Sequence, residues 1–297
     1  MNHSLKLSCI FFTFFFLNTT LSNSQDLLDI LESETPKTTE IVSAIFKGTR
    51  IANGHSVETR KKGVLEFLIS HRFGRVNGGF YQLFGLDESN IRFALEYAVS
   101  DNFTLGLGRS SFDKSYDGFV KYRLLQQKTS QNTFPVSVTL VGSMAQKTLR
   151  DYPADDKPDF NDRLAYTTQV LIARKFNSAI SLQVAPTYIH RNTVPTFQDP
   201  HDILALGIGG RMKITNQVSV NAEYFYSFNP IESITPRDAF SISVDIETGG
   251  HVFQLMMSNA ITMIEKSFIT ETTGNFFSGD IHLGFNISRA FHLGNKK

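Results

Sequence analysis

The sequence predicts an all-β fold: a single antiparallel transmembrane β-barrel of twelve strands in an up-and-down meander. Three observations lead there. From Gly63 onward, apolar and polar residues alternate with period two. The alternating segments are close to the roughly 9–11 residues that a tilted strand needs to cross a bilayer. The connections between them are by turns short and long, as in outer-membrane barrels with short periplasmic turns and longer outer loops. The pattern is sharpest in Phe240–Asn259. There Phe240, Ile242, Val244 and Ile246 alternate with Ser241, Ser243, Asp245 and Glu247, and Thr248-Gly249-Gly250 turns the chain into Phe253, Leu255 and Met257. Gly-Gly supplies the positive φ of a tight hairpin.

Taken in order, residues 1–24 read as a secretory signal peptide. Lys6 is the basic start, Leu7–Leu17 is an apolar run too short to span a bilayer as a helix, and Ser22 and Ser24 are the small residues before the cut. The one cysteine, Cys9, falls in this segment, so the mature chain has neither disulfides nor thiol chemistry. Residues 25–62 form a periplasmic N-terminal leader, with a plug inside the barrel as the sharper alternative; Asn53-Gly54 within it is a turn signal. Residues 63–297 form the barrel. Its strands are expected at 63–73, 90–99, 103–112, 118–126, 135–146, 163–175, 178–190, 202–214, 218–228, 239–247, 251–259 and 280–291, with the sixth and eighth alternating less cleanly. Phe103, Tyr122, Tyr188, Tyr224, Tyr226, Phe228 and Phe291 lie near strand ends on the apolar face, where aromatic girdles form.

Composition narrows the partners. The chain has 29 Lys+Arg and 28 Asp+Glu, and removing Lys6 leaves 28 against 28. A net charge of zero gives no footprint for nucleic acid. No mature stretch reaches 18 consecutive apolar residues, so no transmembrane helix is expected. The expected partners are outer-membrane lipid, the barrel-assembly machinery that inserts such proteins, and a small solute; no cofactor is implied.

Several runs resemble a family of uncharacterised Gram-negative outer-membrane β-barrels, the domain of unknown function 5777. They are Gly48-Thr49-Arg50, Ser56-Val57-Glu58, Leu65-Glu66-Phe67, His71-Arg72-Phe73-Gly74, Phe84-Gly85-Leu86-Asp87, Gly108-Arg109-Ser110, Lys114 with Asp117-Gly118, Lys121-Tyr122, Asp245–Leu255 and Gly284–Arg289. The resemblance covers the chain from about Ala44 to its end. It implies a fold and a location, with no catalytic residues and no cofactor.

Strand parity points a set of charges into the lumen: Glu66, Arg72, Arg92, Glu96, Lys121, Arg123, Arg211, Glu223, Asp245, Glu247 and His282. Both signs are present, which fits either an internal network of ion pairs or a weakly selective polar pathway. Asp245 and Glu247 are expected to face Lys121 and Arg123 across the lumen. Gly106, Gly108, Gly207, Gly209 and Gly210 sit in strands, where glycine permits bending or close approach by luminal side chains. The Asp245–His251 turn is a weak metal candidate, because its acids share one face and His251 lies beyond the turn. The favoured function is a narrow pore, solute-transport or structural protein of the outer membrane. The alternatives are an outer-membrane enzyme acting on lipid or envelope substrates, which would need a Ser–His pair at the membrane surface with an orienting Asn or Asp, and a soluble β-sandwich. Ser70-His71 cannot serve, because neighbours on a strand point to opposite faces.

Overall fold

A computed structural model describes residues 40–129, 134–150 and 157–293. The predicted signal peptide and the first part of the predicted leader lie outside the described residues. Twelve antiparallel strands close into one barrel. They are β1 (Val64–Arg75), β2 (Ser89–Ser100), β3 (Phe103–Ser110), β4 (Tyr116–Leu125), β5 (Ser137–Gln146), β6 (Leu164–Lys175), β7 (Ile180–Arg191), β8 (Asp202–Lys213), β9 (Val218–Ser227), β10 (Ala239–Thr248), β11 (His251–Ser258) and β12 (His282–His292). Each pairs with its sequence neighbours, and β12 closes on β1 through partners such as Ile287↔Ile69 and Phe291↔Leu65. Every predicted strand is present, with its ends within two residues of the expected ones.

Exposure runs opposite to that of a water-soluble protein. On the outward face Leu107 is 72% exposed and Leu255 58%, while inward-facing Glu66, Arg72, Glu96 and Lys121 are each 1% exposed. An apolar belt around the whole circumference is unstable in water and stable against lipid tails. This excludes the soluble sandwich. Of the expected girdle aromatics, Tyr122, Tyr188, Tyr224, Tyr226, Phe228 and Phe291 lie in the exposed set, while Phe103 is half-buried.

A twelve-stranded ring is wider than an eight-stranded one, whose own side chains fill it, and narrower than the ring of a water-filled porin. The extra room is taken by chain from both ends. Glu40–Ile41 pairs with Lys128–Thr129 beside the β4–β5 connection. Residues 44–60 then run into the lumen, where Ile45, Phe46, Ile51, Val57 and inward-facing Ala173 make one apolar cluster. From the long-loop end, the 259–281 connection folds inward as helix α1 (Glu265–Thr270), every residue of which is buried. Its Phe268 packs edge-on to Phe225 of β9, centroids 5.1 Å apart, within a cluster that includes Ile189, Ile203 and Ile231. The less clean alternation of β6 and β8 follows from this filling. Their inward positions Leu171, Ala173, Ile203 and Ala205 are apolar and buried because they meet protein rather than water.

Luminal glycines of the strands allow close approach, as two of them illustrate. A Cβ on Gly106 would stand 2.1 Å from the Phe119 ring, and one on Gly209 would stand 2.6 Å from Ile51 Cδ1. Gly210 differs from the expectation: a Cβ there would meet Leu182 Cδ2 at 3.0 Å, on the outward face.

Candidate functional site

The interior is organised by a hairpin within residues 44–60. Arg50 and His55 form an antiparallel bridge, Ile51 N–H donates to Gly54 O at 2.9 Å, and Ser56 N–H donates to Thr49 O at 2.9 Å. The Asn53-Gly54 turn signal therefore marks a real turn, placed at mid-lumen. Around its tip, three backbone amides converge on one carboxylate of the wall. Asn53 N–H donates to Glu223 Oε1 at 2.6 Å, Ala52 N–H to Oε2 at 3.2 Å, and Gly54 N–H to both oxygens at 3.3 and 3.1 Å. Successive amides pointing one way form a concavity for an anion. The Asn53 side chain donates to Ser241 Oγ at 3.0 Å and accepts from Arg72 at 2.7 Å.

Eight of the eleven predicted luminal residues reach this segment rather than one another. Glu66 accepts from Arg60 through both oxygens, at 2.7 and 2.5 Å. Arg72 holds Asn53, Glu96 lies 3.7 Å from Arg50, and Lys121 donates to Thr49 O at 3.4 Å. Arg123 pairs with Glu58 at 3.4 Å, Arg211 donates to Ala44 O at 3.0 Å, Glu223 holds the tip, and Glu247 pairs with Lys47. The remaining three find partners in the wall. Arg92 pairs with Asp117, Asp245 accepts from Gln254 Nε2 at 2.7 Å, and His282 Nδ1 lies 2.8 Å from Phe73 O.

Two expectations need correction. Asp245 and Glu247 do not pair with Lys121 and Arg123, because β4 and β10 stand on opposite sides of the ring and the hairpin fills the space between them. Glu247 is also not enclosed: its side chain is 48% exposed, at the short-turn rim.

Strand parity missed the residues that come from outside the strands. Arg50 NH1 donates to Glu265 Oε1 of α1 at 2.6 Å, and His55 Nε2 lies 3.2 Å from the same oxygen. His55 packs edge-on to Phe119, centroids 4.6 Å apart, and the Arg50 guanidinium lies 5.5 Å from that ring centroid. The hairpin and the inward loop thus share a buried ion pair at mid-barrel. Both oxygens of buried Glu96 lack a hydrogen-bond partner among the described residues. Cavities beside the hairpin measure about 20, 10 and 10 Å³, room for a water molecule at most.

Near the long-loop mouth, Glu271 lies against two cations. Its Oε1 is 2.9 Å from Lys266 Nζ and 2.9 Å from an Arg191 guanidinium nitrogen. Burial alone would push its carboxyl up, but the charges of Lys266 and Arg191 hold it down at about 2. On the outer wall, Asp202 Oδ1 lies 2.6 Å from His190 Nδ1 and accepts from Tyr188 Oη at 2.6 Å. This acid–histidine pair has a phenol as its third member, and the cross-strand neighbour of His190 on β6 is Tyr166 rather than a serine.

The solved structures that resemble this one are distant. The NanC porin has a TM-score of 0.47 at 7% identity, covering 77% of this chain and 100% of its own. The KdgM porin has a TM-score of 0.46 at 7% identity, with 77% and 99% covered. An outer membrane channel from Pseudomonas putida F1 has a TM-score of 0.45 at 12% identity, with 79% and 98% covered. None of these likenesses transfers a role to this chain. No curated protein matches the sequence. The family profile described as "Membrane bound beta barrel domain (DUF5777)" matches residues 46–291, a span that takes in the hairpin as well as the barrel wall. The chain belongs to that family of membrane-bound β-barrel domains.

Proposed function

We propose that this protein is a pore-class barrel of the bacterial outer membrane, closed at rest by its own N-terminal hairpin, through which a small polar solute crosses when the hairpin shifts. One observation carries this reading. The polar wall spends most of its charged side chains on one short segment, held by hydrogen bonds and ion pairs that water or a solute can replace. In this arrangement the long loops face outward, and residues 44–60 enter the lumen from the periplasmic side, after export by a cleaved signal peptide and insertion by the barrel-assembly machinery. Charges of both signs on the wall favour a neutral or zwitterionic solute over a strong ion preference. A second reading has its own support: the four amide contacts to Glu223 bury the tip so completely that the hairpin could be a permanent architectural filler.

Planar-bilayer recording separates the two. The full chain carries Ile51→Cys and Gly209→Cys, at positions where a wall Cβ would lie 3.6 Å from Ile51 Cγ2. Reduced, the protein is expected to open in brief events; oxidised, the hairpin is tied to β8 and the openings disappear. Silence in the reduced state at every voltage and with every solute would sink the pore reading and leave the architectural one.

A further inference from the structure

We infer that the connection between β11 and β12 is anchored in the bilayer by Phe276 and Phe277, so that the membrane itself helps to hold the contents of the lumen in place. This connection lies on both sides of the wall. Its first half includes α1, whose six residues are all buried inside the ring. Its second half returns to the lipid-facing surface. Phe240 is the outward side chain of β10 nearest the long-loop end, and its cross-strand partner is outward-facing Tyr224 of β9. The Phe276 ring meets Phe240 edge-on with centroids 4.8 Å apart, and the Phe277 ring stacks on it at 5.7 Å. Phe277 is still 85% exposed. A ring left open beside the apolar belt gains hydrophobic stabilisation against hydrocarbon that water does not give it. Continuity with the belt identifies the occupant. Tyr224, Tyr226 and Phe228 of β9 extend the same aromatic rim, and the phase that covers them is lipid.

Hydrogen bonds fix the place where the connection crosses the rim. Asn259 Nδ2 donates to Gly274 O and to Asp238 O, each at 2.8 Å, and Asn259 Oδ1 accepts from Phe240 N–H at 2.8 Å. A Cβ on Gly274 would stand 3.0 Å from Asn259 O, so a residue without a side chain sits at the crossing. Asn275 N–H donates to Asp280 Oδ2 at 2.9 Å, and Asn275 Oδ1 accepts from Phe277 N–H at 3.1 Å, which sets the turn that carries the two rings. Toward the lumen, Thr272 Oγ1 donates to Phe268 O of α1 at 2.8 Å, and Thr272 O accepts from Arg237 N–H at 2.7 Å. Glu265 of α1 then accepts from Arg50 of the hairpin at 2.6 Å. A continuous set of contacts thus runs from the lipid-facing rings to the hairpin. The inference concerns what holds the loop, so it stands or falls independently of transport.

The chain contains no tryptophan, so Phe277→Trp adds a single fluorophore. The full chain is reconstituted in phosphatidylcholine vesicles with and without bromine on the acyl chains. Leu107→Trp, at an outward position of β3, marks the lipid-facing wall. Brominated lipid is expected to quench both fluorophores about twofold or more. Quenching at 107 without quenching at 277 would overturn the proposal, whether water or a second copy of the chain covers the ring. A second measurement separates a bilayer anchor from simple stacking on Phe240. Amide hydrogen exchange of Glu265–Thr270 in vesicles is compared between the native chain, Phe277→Leu and Phe277→Asp. Leucine keeps an apolar contact with lipid and should leave protection within about threefold of native, whereas aspartate should speed exchange about tenfold while β10 amides stay protected. If leucine and aspartate behave alike, Phe277 acts through its ring on Phe240 or not at all, and the proposal fails. Retained heat-modifiable migration on gels shows that each variant is folded, and the quenching result decides even if the aspartate variant does not assemble.

Discussion

Glu223→Gln tests the hairpin at its tightest point. In the native chain Oε1 accepts from Asn53 and Gly54, and Oε2 from Ala52 and Gly54. A glutamine keeps one acceptor oxygen and turns an NH2 group toward the other donors. If its oxygen stays with Asn53, the Ala52 amide loses its partner and Gly54 loses its shorter bond, both in a site where Glu223 is 3% exposed. A hydrogen bond to a charged group contributes about 1.5–3 kcal/mol, so two lost bonds weaken the docked hairpin by about 3–6 kcal/mol. That raises its undocked population by at least about a hundredfold. The assay is amide hydrogen exchange at Ala52, Asn53 and Gly54 in the reconstituted protein, with strand amides of β9 as the internal reference. Protection of the three tip amides should fall by at least two orders of magnitude while β9 stays protected. If tip protection falls less than about threefold, under about 1 kcal/mol, Glu223 does not hold the hairpin and the account of the interior is wrong. If β9 loses protection equally, the residue supports the wall rather than the tip.

Two further outcomes test the wall and the mouth. Val244 faces lipid and Asp245 the lumen, so Val244→Asp should block membrane assembly in cells, whereas Asp245→Asn, which can still engage Gln254, should assemble at normal levels; equal yields would refute the parity assignment. Glu271 has a folded pKa of about 2, below its unfolded value of about 4.3, so its stabilisation of the inward loop is fully present above the unfolded value and is lost as pH falls through about 2. The net shift, burial against the two cations and their hydrogen bonds, corresponds to about 3 kcal/mol, and limited pepsin digestion of residues 259–281 should accelerate between pH 4 and pH 2 in the native chain but show no such step in Glu271→Gln.

The wall was legible because lipid enforces one rule along every strand. Outward positions are mostly apolar, so the period survives even where the inward side varies, as at Phe240–Ile246. The contents of the lumen were much less legible. Residues 44–60 have no period: beyond the short bridge of the hairpin itself, their backbone polar groups meet wall side chains rather than an extended ladder. Parity identified Glu223 and Arg72 as inward, but nothing in the strand pattern says that their partners come from residues 52–54. A signal did exist. Leu171, Ala173, Phe119 and Phe225 are apolar side chains at inward positions, which makes sense only if the lumen holds something other than water. The inward fold of Glu265–Thr270 left no comparable trace, since six residues are too few for a helical period to stand out.

The hairpin also bears on how the ring closes. Its tip touches both sides of the β12–β1 seam: Asn53 accepts from Arg72 on β1, and Ala52 O accepts from Asn286 Nδ2 on β12 at 2.9 Å. Arg72 and Asn286 are themselves joined across the seam at 3.1 Å. The first and last strands are 213 residues apart at Arg72 and Phe285, so their meeting is the costliest loop closure in the chain. A segment emerging ahead of β1, and able to hold β1 while offering an acceptor to β12, acts as a clasp for that meeting. With the hairpin undocked, the seam keeps the Arg72–Asn286 bond but loses the two contacts through Asn53 and Ala52 that tie both of its strands to one segment.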